Sequence, residues 1–179
     1  IWWTQRERGT RLMPTCHDLF VELFETHFHR LFRYLDRLSG EPGLAADLAQ
    51  EAFVRLYRRG SLPDRPEAWL ITVAMNLFRN VKSTRARRRI LLTPARAEEV
   101  LADPPPLPGH GDDASDLGAR VRSVIDALPE RDRRILLLRA EGYAYRDIAS
   151  ALDLNEASIG TLLARAKRAF RDAYDSHAP

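Results

Sequence analysis

The sequence predicts an all-α fold, with two small helical domains joined by a flexible, acidic, proline-rich linker. Apolar residues recur at three- and four-residue spacing through most of the 179-residue chain, as in helices with one buried face. Clusters of Gly, Pro and other turn residues separate these periodic segments. The stretch 93–115 breaks the pattern, because it contains PPPLP and GHG, several acids and few large apolar residues.

This linker defines the predicted domain boundaries. It separates a first helical domain, residues 16–92, from a second, residues 116–179, and residues 1–15 are predicted to be a disordered extension. The linker has too little apolar content to offset an ordering entropy of about 1–2 kcal/mol per residue, so we expect it to be mobile. The two domains are therefore expected to move semi-independently until a partner fixes their separation.

Composition and charge exclude several classes of protein. Hydrophobic residues make up 45% of the chain, and no apolar run approaches the ~20 residues that span a bilayer. The net charge is only +3, so a role with nucleic acid depends on where the basic residues cluster. The single cysteine, Cys16, fits a reducing cytoplasm. Residues 1–13 are too short and polar for a signal peptide, and we interpret the first twelve as an extension or tag remnant.

An apolar stripe over residues 19–38 predicts the first helix. His27 and His29 lie in it two residues apart, so they point to different faces and make a poor metal pair. Cys16 and His17 are predicted to lie before the helix, and the spacing of these residues does not match a zinc site. We interpret the histidines as packing or surface residues, and we predict no metal and no cofactor.

The second predicted helix has Pro42 in its first turn, and its periodic stretch runs from Leu44 to Arg59. Its apolar face includes Tyr57. The opposite face is acidic and polar, and it comprises Asp47, Gln50, Glu51 and Val54. No histidine or metal-ligand partner accompanies the two carboxylates, which argues against acid–base chemistry. An exposed acidic patch of this kind more often meets a basic partner surface.

A turn-rich loop, SLPDRP at 61–66, precedes the third predicted helix. Asp64 followed by Glu67 resembles a capping box at the start of that helix. Trp69 is predicted to lie in the core. Phe78 is instead a candidate for stacking on a nucleic-acid base.

The third helix has a strongly basic end. Between Arg79 and Arg89 there are six Lys or Arg residues and no acid. Such a run is often only a solvated helix end. It is also what a phosphate-tracking surface needs, because each neutralised phosphate releases counterions.

The stretch from Tyr145 to Phe170 predicts two short helices joined by a tight turn, with Asn155 as the N-cap of the second. One face of the second helix is apolar. The other face and its flanks are basic, and they carry Thr161, Arg165, Lys167, Arg168 and Arg171. This helix-turn-helix arrangement lets the second helix enter a DNA major groove. The alternative is an ordinary helical hairpin with a solvated basic face.

Three sequence blocks resemble the extracytoplasmic-function sigma factors, the two-domain class of bacterial transcription initiation factors. Residues 47–53, DLAQEAF, resemble the D-L-x-Q-E-x-F segment of sigma region 2. Residues 69–76, WLITVAMN, resemble W-L-x-x-I-A-x-N and precede the basic helix end. LPER at 128–131, YRDIA at 145–149 and ARAK at 164–167 resemble region 4. The resemblance runs from about Leu19 to Tyr174.

The resemblance implies a non-enzymatic sigma factor that binds core RNA polymerase and directs promoter-specific initiation. It assigns polymerase binding to Asp47, Gln50, Glu51 and Val54. It assigns recognition and melting of the minus-10 element to Ser61, Asp64, Arg65, Asn76, Arg79, Asn80, Lys82 and Arg85. It assigns reading of the minus-35 element to Arg146, Ser158, Gly160, Thr161, Arg165, Lys167 and Arg168. An anti-sigma factor that masks both domains is a further expected partner.

The chain departs from the family pattern at three positions. Gly160 and Leu162 stand where basic residues are common, and Asn80 stands where an acid is frequent. Since Gly160 has no side chain for base readout, we interpret it as allowing close backbone approach to DNA.

Two other protein classes remain open. A response-regulator-type DNA-binding protein would share the hairpin but would leave the block at 47–51 and the basic helix unexplained. A basic helical nuclease or nucleotidyl-transfer enzyme would need clustered acids with a metal, whereas the acids here are scattered.

Overall fold

The computed structural model describes residues 16–91 and 116–176. This part of the chain forms seven α-helices and no strand. The helices are α1 (Cys16–Ser39), α2 (Pro42–Arg59), α3 (Pro66–Leu91), α4 (Asp116–Ala127), α5 (Glu130–Ala140), α6 (Tyr145–Leu152) and α7 (Glu156–Ser176). The all-α prediction with two helical domains is confirmed. The predictions for the extension and the linker lie outside the described residues.

Local sequence signals determine several helix ends. Pro42 opens α2, and Gly60 ends it at φ 71°, a left-handed conformation that favours glycine. The Asn155 side-chain oxygen accepts a hydrogen bond from the Ala157 backbone N–H at 2.9 Å, so Asn155 caps α7 as predicted. Asp153 ends α6 at φ 54°, a conformation that Asp tolerates better than most residues.

Several residues lie elsewhere than the sequence predicts. Cys16 and His17 belong to the first turn of α1 rather than preceding it. Tyr57 is 59% exposed rather than facing inward, and its ring makes an edge-on contact with Phe20, 5.2 Å between ring centroids. Phe78 is buried in the core at 6% exposure, so its ring has no free face for base stacking.

The predicted capping box at the start of α3 does not form. The Trp69 backbone N–H donates to the Arg65 carbonyl at 3.0 Å, so the helix begins one residue later than the box requires. The Glu67 carboxylate instead lies 3.3 Å from Arg30 Nη1 and 3.8 Å from His27 Nε2 of α1. Glu67 therefore ties α3 to α1 across the domain.

The first domain is a three-helix unit in which α2 packs against both α1 and α3. Its buried side chains come from all three helices and include Leu31, Leu35, Leu48, Phe53, Leu70 and Ile71. Tyr34 is fully buried, and its hydroxyl donates to Met75 Sδ at 3.0 Å. This hydrogen bond joins α1 to α3 inside the core.

The second domain is a four-helix unit organised around α7. Helices α4, α5 and α6 all contact α7, and the buried side chains include Ile135, Leu138, Ile148, Ile159 and Leu163. Arg120 of α4 lies over the Tyr174 ring, 4.3 Å from its centroid, and donates to the Tyr174 carbonyl at 2.9 Å. Helices α6 and α7 thus form a helix-turn-helix, and the contacts of Arg120 with Tyr174 hold α4 against its second helix.

The two domains contact each other directly. Helix α5 lies against α1, and α6 lies against α3. Their buried apolar residues form one continuous cluster through both domains. This arrangement differs from the expectation of semi-independent domains, which rests on the composition of the linker. Two physical reasons account for the contact: apolar side chains of both domains are buried together, and arginines of α1 surround the carboxylate of Glu141.

Candidate polymerase and nucleic-acid surfaces

The four residues assigned to polymerase binding lie together on the outer face of α2. Their spacing of three and four residues places them on one side of the helix. Asp47 and Gln50 are exposed, and Val54 is half-buried. Glu51 is partly covered because its carboxylate pairs with Arg55 Nε at 2.8 Å. The face is acidic and polar, with one apolar residue at its end.

The loop before α3 presents three of the residues assigned to the minus-10 element. Ser61, Asp64 and Arg65 are all exposed. Arg65 Nη1 donates to the Arg146 backbone carbonyl at 3.3 Å, so this loop touches the start of α6. A residue assigned to one promoter element therefore contacts a residue assigned to the other.

Most remaining minus-10 candidates lie on the exposed side of α3. The Asn76 side-chain oxygen accepts a hydrogen bond from Arg79 Nη1 at 3.1 Å, and Asn80 is exposed one turn further on. Lys82 Nζ lies 5.5 Å from the Phe78 ring centroid, a cation–π contact that leaves the ammonium group exposed. All described side chains of the basic run from Arg79 onward face solvent except the half-buried Val81.

Arg85 has a structural partner that the sequence did not reveal. Its Nη2 donates to the Glu41 Oε2 at 2.9 Å, and a second guanidinium nitrogen contacts Oε1. The hydrogen bond from Arg85 lowers the pKa of Glu41 below its ordinary value. This bidentate pair links α3 to the start of α2, so a DNA phosphate would have to compete with it.

The minus-35 candidates of the second domain cluster along α7. Ser158, Thr161, Lys167 and Arg168 are exposed, in keeping with the predicted outward face. Gly160 is half-buried, and a Cβ built on it would lie 3.8 Å from Tyr145 Cε2, an ordinary van der Waals distance. An alanine side chain would therefore fit at this position.

Two candidates in this domain have acidic neighbours. Arg165 Nη2 donates to Asp132 Oδ1 at 2.9 Å, and the Asp132 side chain is only 6% exposed. Arg146 Nε lies 3.8 Å from Asp147 Oδ2 at the start of α6. The Arg165 pair joins α7 to α5 and anchors part of the guanidinium against the domain rather than leaving it wholly to solvent.

Three arginines of α1 have partners that no motif in the sequence predicts. Arg30, Arg33 and Arg37 recur at spacings of three and four residues and all reach the turn after α5. The helical spacing of these like charges is the signal in the sequence that marks them, beside the apolar stripe of the same helix.

Metal and membrane sites are absent from the described ranges. Within residues 16–91 and 116–176, no three His, Cys, Asp or Glu side chains are positioned to hold a metal ion together. None of the helices described is long and apolar enough to cross a bilayer.

Two family models match the chain in the order of its domains. The model for Sigma-70 region 2 matches residues 23–90, and the model for Sigma-70, region 4 matches residues 118–170. The first range contains the α2 face and all of the minus-10 candidates. The second contains α6 and the part of α7 up to Phe170.

Individual relatives agree with the family models. The chain is 32% identical to the ECF RNA polymerase sigma factor SigE of Mycolicibacterium smegmatis, over 87% of this chain and 62% of that protein. It is 30% identical to the RNA polymerase sigma-H factor of Pseudomonas aeruginosa, over 94% of this chain and 89% of that protein.

The fold also matches a solved structure, the sigma factor RpoE of Bartonella quintana in complex with the anti-sigma factor NepR. The TM-score is 0.65 at 18% identity, over 89% of this chain and 98% of that one. This match concerns the fold, while the two sequence comparisons concern the family. The chain belongs to the extracytoplasmic-function sigma factors of bacterial RNA polymerase.

Proposed function

We propose that this protein is an alternative sigma factor that binds core RNA polymerase in the cytoplasm and directs it to promoters with particular minus-10 and minus-35 elements. One observation carries the proposal: sigma region 2 matches residues 23–90 and region 4 matches residues 118–170, in order, on the two helical domains. The chain spans 62% of the SigE relative's length, so the activity as a whole is part of the proposal.

Polymerase binding is assigned to the outer face of α2. Asp47 and Gln50 project into solvent, and Glu51 keeps 41% of its side chain exposed beside Arg55. An acidic face attracts a basic surface on a partner and sets the orientation of docking, while like charge would cost several kcal/mol. Val54 adds a small apolar contact at the edge of the face.

Minus-10 recognition is assigned to the loop at 61–65 and the polar side of α3. Asn76, Arg79 and Asn80 offer hydrogen bonds to bases and phosphates, and Lys82 and the residues after it supply positive charge. Strand opening requires a base to leave the stack, at a cost of a few kcal/mol that binding in a pocket offsets. Because Phe78 is buried, base stacking is not assigned to it.

Minus-35 recognition is assigned to α7 in the major groove of duplex DNA. Ser158 and Thr161 present hydroxyl groups near the N-terminal end of the helix, where such helices contact base edges. Lys167 and Arg168 lie further along and suit phosphate contacts that set the register. Gly160, between the hydroxyl residues, permits the backbone to come close to the DNA.

An anti-sigma factor is the further partner proposed for this chain. The support is the likeness to the Bartonella quintana protein, whose structure was solved in complex with an anti-sigma factor. The likeness covers 89% of the present chain. A regulator that binds both domains would compete for the α2 face, the α3 surface, or both.

Run-off transcription with purified bacterial core polymerase tests the proposed function. Core polymerase alone, core with this protein, and core with the Asp47→Arg, Glu51→Arg double variant are compared on promoters selected from a random library. We expect specific transcripts only with the unmodified protein. Specific binding of promoter duplex without any association with core polymerase would instead support a simple DNA-binding regulator.

A further inference from the structure

Three arginines on α1 converge on one glutamate of the other domain. The Glu141 carboxylate lies 2.8 Å from Arg33 Nε and 2.7 Å from Arg37 Nη1. The Arg33 contact is an aligned hydrogen bond, whereas the Arg37 contact is an ion pair without that alignment. Arg30 Nε donates to the Glu141 backbone carbonyl at 2.8 Å. The turn after α5 is therefore bound through both its side chain and its backbone.

Neighbouring contacts extend this interface. The Arg30 guanidinium lies over the ring of buried Tyr143, 4.1 Å from its centroid, and also pairs with Glu67 at 3.3 Å. The Glu141 side chain is only 3% exposed, while those of Arg33 and Arg37 are about half exposed at 52% and 50%. Region 4 thus inserts one acid into a basic surface that region 2 presents.

We infer that Arg30, Arg33 and Arg37 form a docking surface for region 4. This surface holds the free protein in a closed form, in which region 4 lies against region 2. Its occupant is the turn around Glu141 of the same chain. The arrangement of charges supports this pairing, because a carboxylate removed from water needs close cationic partners and region 2 supplies them. Arg33 and Arg37 remain partly hydrated in this contact, since half of each side chain stays exposed.

The closed form has a consequence that rests on the proposed function. Promoter elements named for positions minus 10 and minus 35 lie about 25 base pairs apart, or roughly 85 Å at 3.4 Å per pair. In the closed form Arg65 and Arg146, assigned to different elements, are in contact at 3.3 Å. The closed protein therefore engages at most one element at a time. A chain of 24 residues, the length of the stretch 92–115, can span at most about 86 Å, enough for the domains to separate.

Small-angle X-ray scattering of the free full-length protein tests the docking surface without polymerase. A compact chain of this length has a radius of gyration of about 16 Å, and separated domains should raise the measured value by about a quarter. We expect the increase in Glu141→Arg, which places a cation against three arginines. The matched control Asp175→Arg, an exposed acid at the end of α7, should leave the value unchanged.

A charge-swapped variant makes the test specific. Combining Glu141→Arg with Arg33→Glu and Arg37→Glu restores opposite charges and should return the radius of gyration to the wild-type value. Circular dichroism checks that each variant stays folded. If Glu141→Arg alone loses helix content, a compact, folded charge-swapped variant still supports the docking surface. A folded Glu141→Arg variant as compact as wild type, or a folded swapped variant that remains expanded, would overturn it.

Measurement of the affinity for core polymerase distinguishes the docking of region 4 from the proposed function. If region 4 must undock before it binds, folded Glu141→Arg should bind core polymerase several-fold more tightly than wild type. Expansion in scattering with no gain in polymerase affinity would overturn the requirement for opening while leaving the docking surface in place. Failure of wild-type protein to bind core polymerase at all would count against the proposed function and not against the contact, which scattering measures independently.

Discussion

At the scale of single residues, the two buried tyrosines have an environment unlike that of the other three in the chain. Tyr34 is completely buried in region 2, and Tyr143 is 2% exposed at the contact between the domains. Burial raises the pKa of both phenols, because the phenolate would lose its hydration. Nearby Arg134 and Arg30 oppose this effect but do not reverse it.

Ionisation of Tyr34 and Tyr143 should therefore be coupled to unfolding. A pKa that is higher in the folded state means that stability is complete below the unfolded value of about 10 and is lost as pH rises above it. We expect these two residues to contribute to tyrosinate absorbance only with loss of the helical circular dichroism signal. Tyr34→Phe should remove part of the absorbance change that accompanies unfolding. Reversible ionisation of Tyr34 and Tyr143 in the folded protein would contradict this account.

Gly160 is a second residue whose role can be measured. Alanine fits there at an ordinary contact distance from Tyr145, and replacing a glycine inside a helix should stabilise region 4 by about 0.5–1 kcal/mol. If the missing side chain allows the backbone to approach DNA, Gly160→Ala should also weaken binding to minus-35 duplex. Urea unfolding and duplex titration measure the two effects. Stabilisation with unchanged DNA affinity would show that the backbone at Gly160 does not come close to the DNA major groove.

At the scale of the element, helix α7 carries arginines with different surroundings. Arg165 pairs with the buried carboxylate of Asp132, whereas Arg168 projects from an exposed position one turn along the helix. Both are assigned to DNA, but only Arg165 also connects α7 to α5. The two should therefore differ in their effect on stability more than in their effect on binding.

Alanine substitution separates these roles. Arg165→Ala leaves the Asp132 carboxylate without its closest partner, so unfolding should become easier by about 1–3 kcal/mol. Arg168→Ala should change stability by less than about 0.5 kcal/mol. Each variant should weaken minus-35 duplex binding and reduce its salt dependence by about one unit of slope. Neither should impair opening on a pre-melted promoter, and equal failure there would refute the division between the two domains.

At the scale of the whole molecule, we propose different partners for the acidic face of α2 and for the basic surfaces of α3 and α7. The double variant Asp47→Arg, Glu51→Arg should weaken binding to core polymerase by several kcal/mol through like charge. It should fold normally, since neither residue lies in the core, although Arg55 would lose its partner. Core-binding titration and thermal unfolding measure these outcomes.

A matched control uses acids on another exposed helix face. Glu22→Arg with Glu25→Arg makes the same change of net charge on α1, where both residues face solvent. This control should bind core polymerase as wild type does. Equal loss in both double variants would indicate a general effect of net charge, and normal binding by the α2 variant would make the surface assignment wrong.

The contact between the domains is a property of the whole molecule and not of either domain alone. The buried apolar residues form one cluster through both domains, and Glu141 adds ion pairs with the arginines of α1. The linker composition indicates semi-independent domains, because composition alone contains no information about which surfaces attract each other. Apolar and charged surfaces that form only on folding decide that.

The sequence by itself determined the helices, most of their ends and the family, because these depend on residues close together in the chain. Periodic apolar residues predict a buried helix face, Pro42 and Asn155 act on their own helix ends, and the family blocks are contiguous motifs. The tertiary structure alone decided which charges meet: Arg85 with Glu41, Arg165 with Asp132 and the α1 arginines with Glu141. Those partners are 33 to 111 residues apart, and only the packing of whole helices brings them within hydrogen-bonding distance.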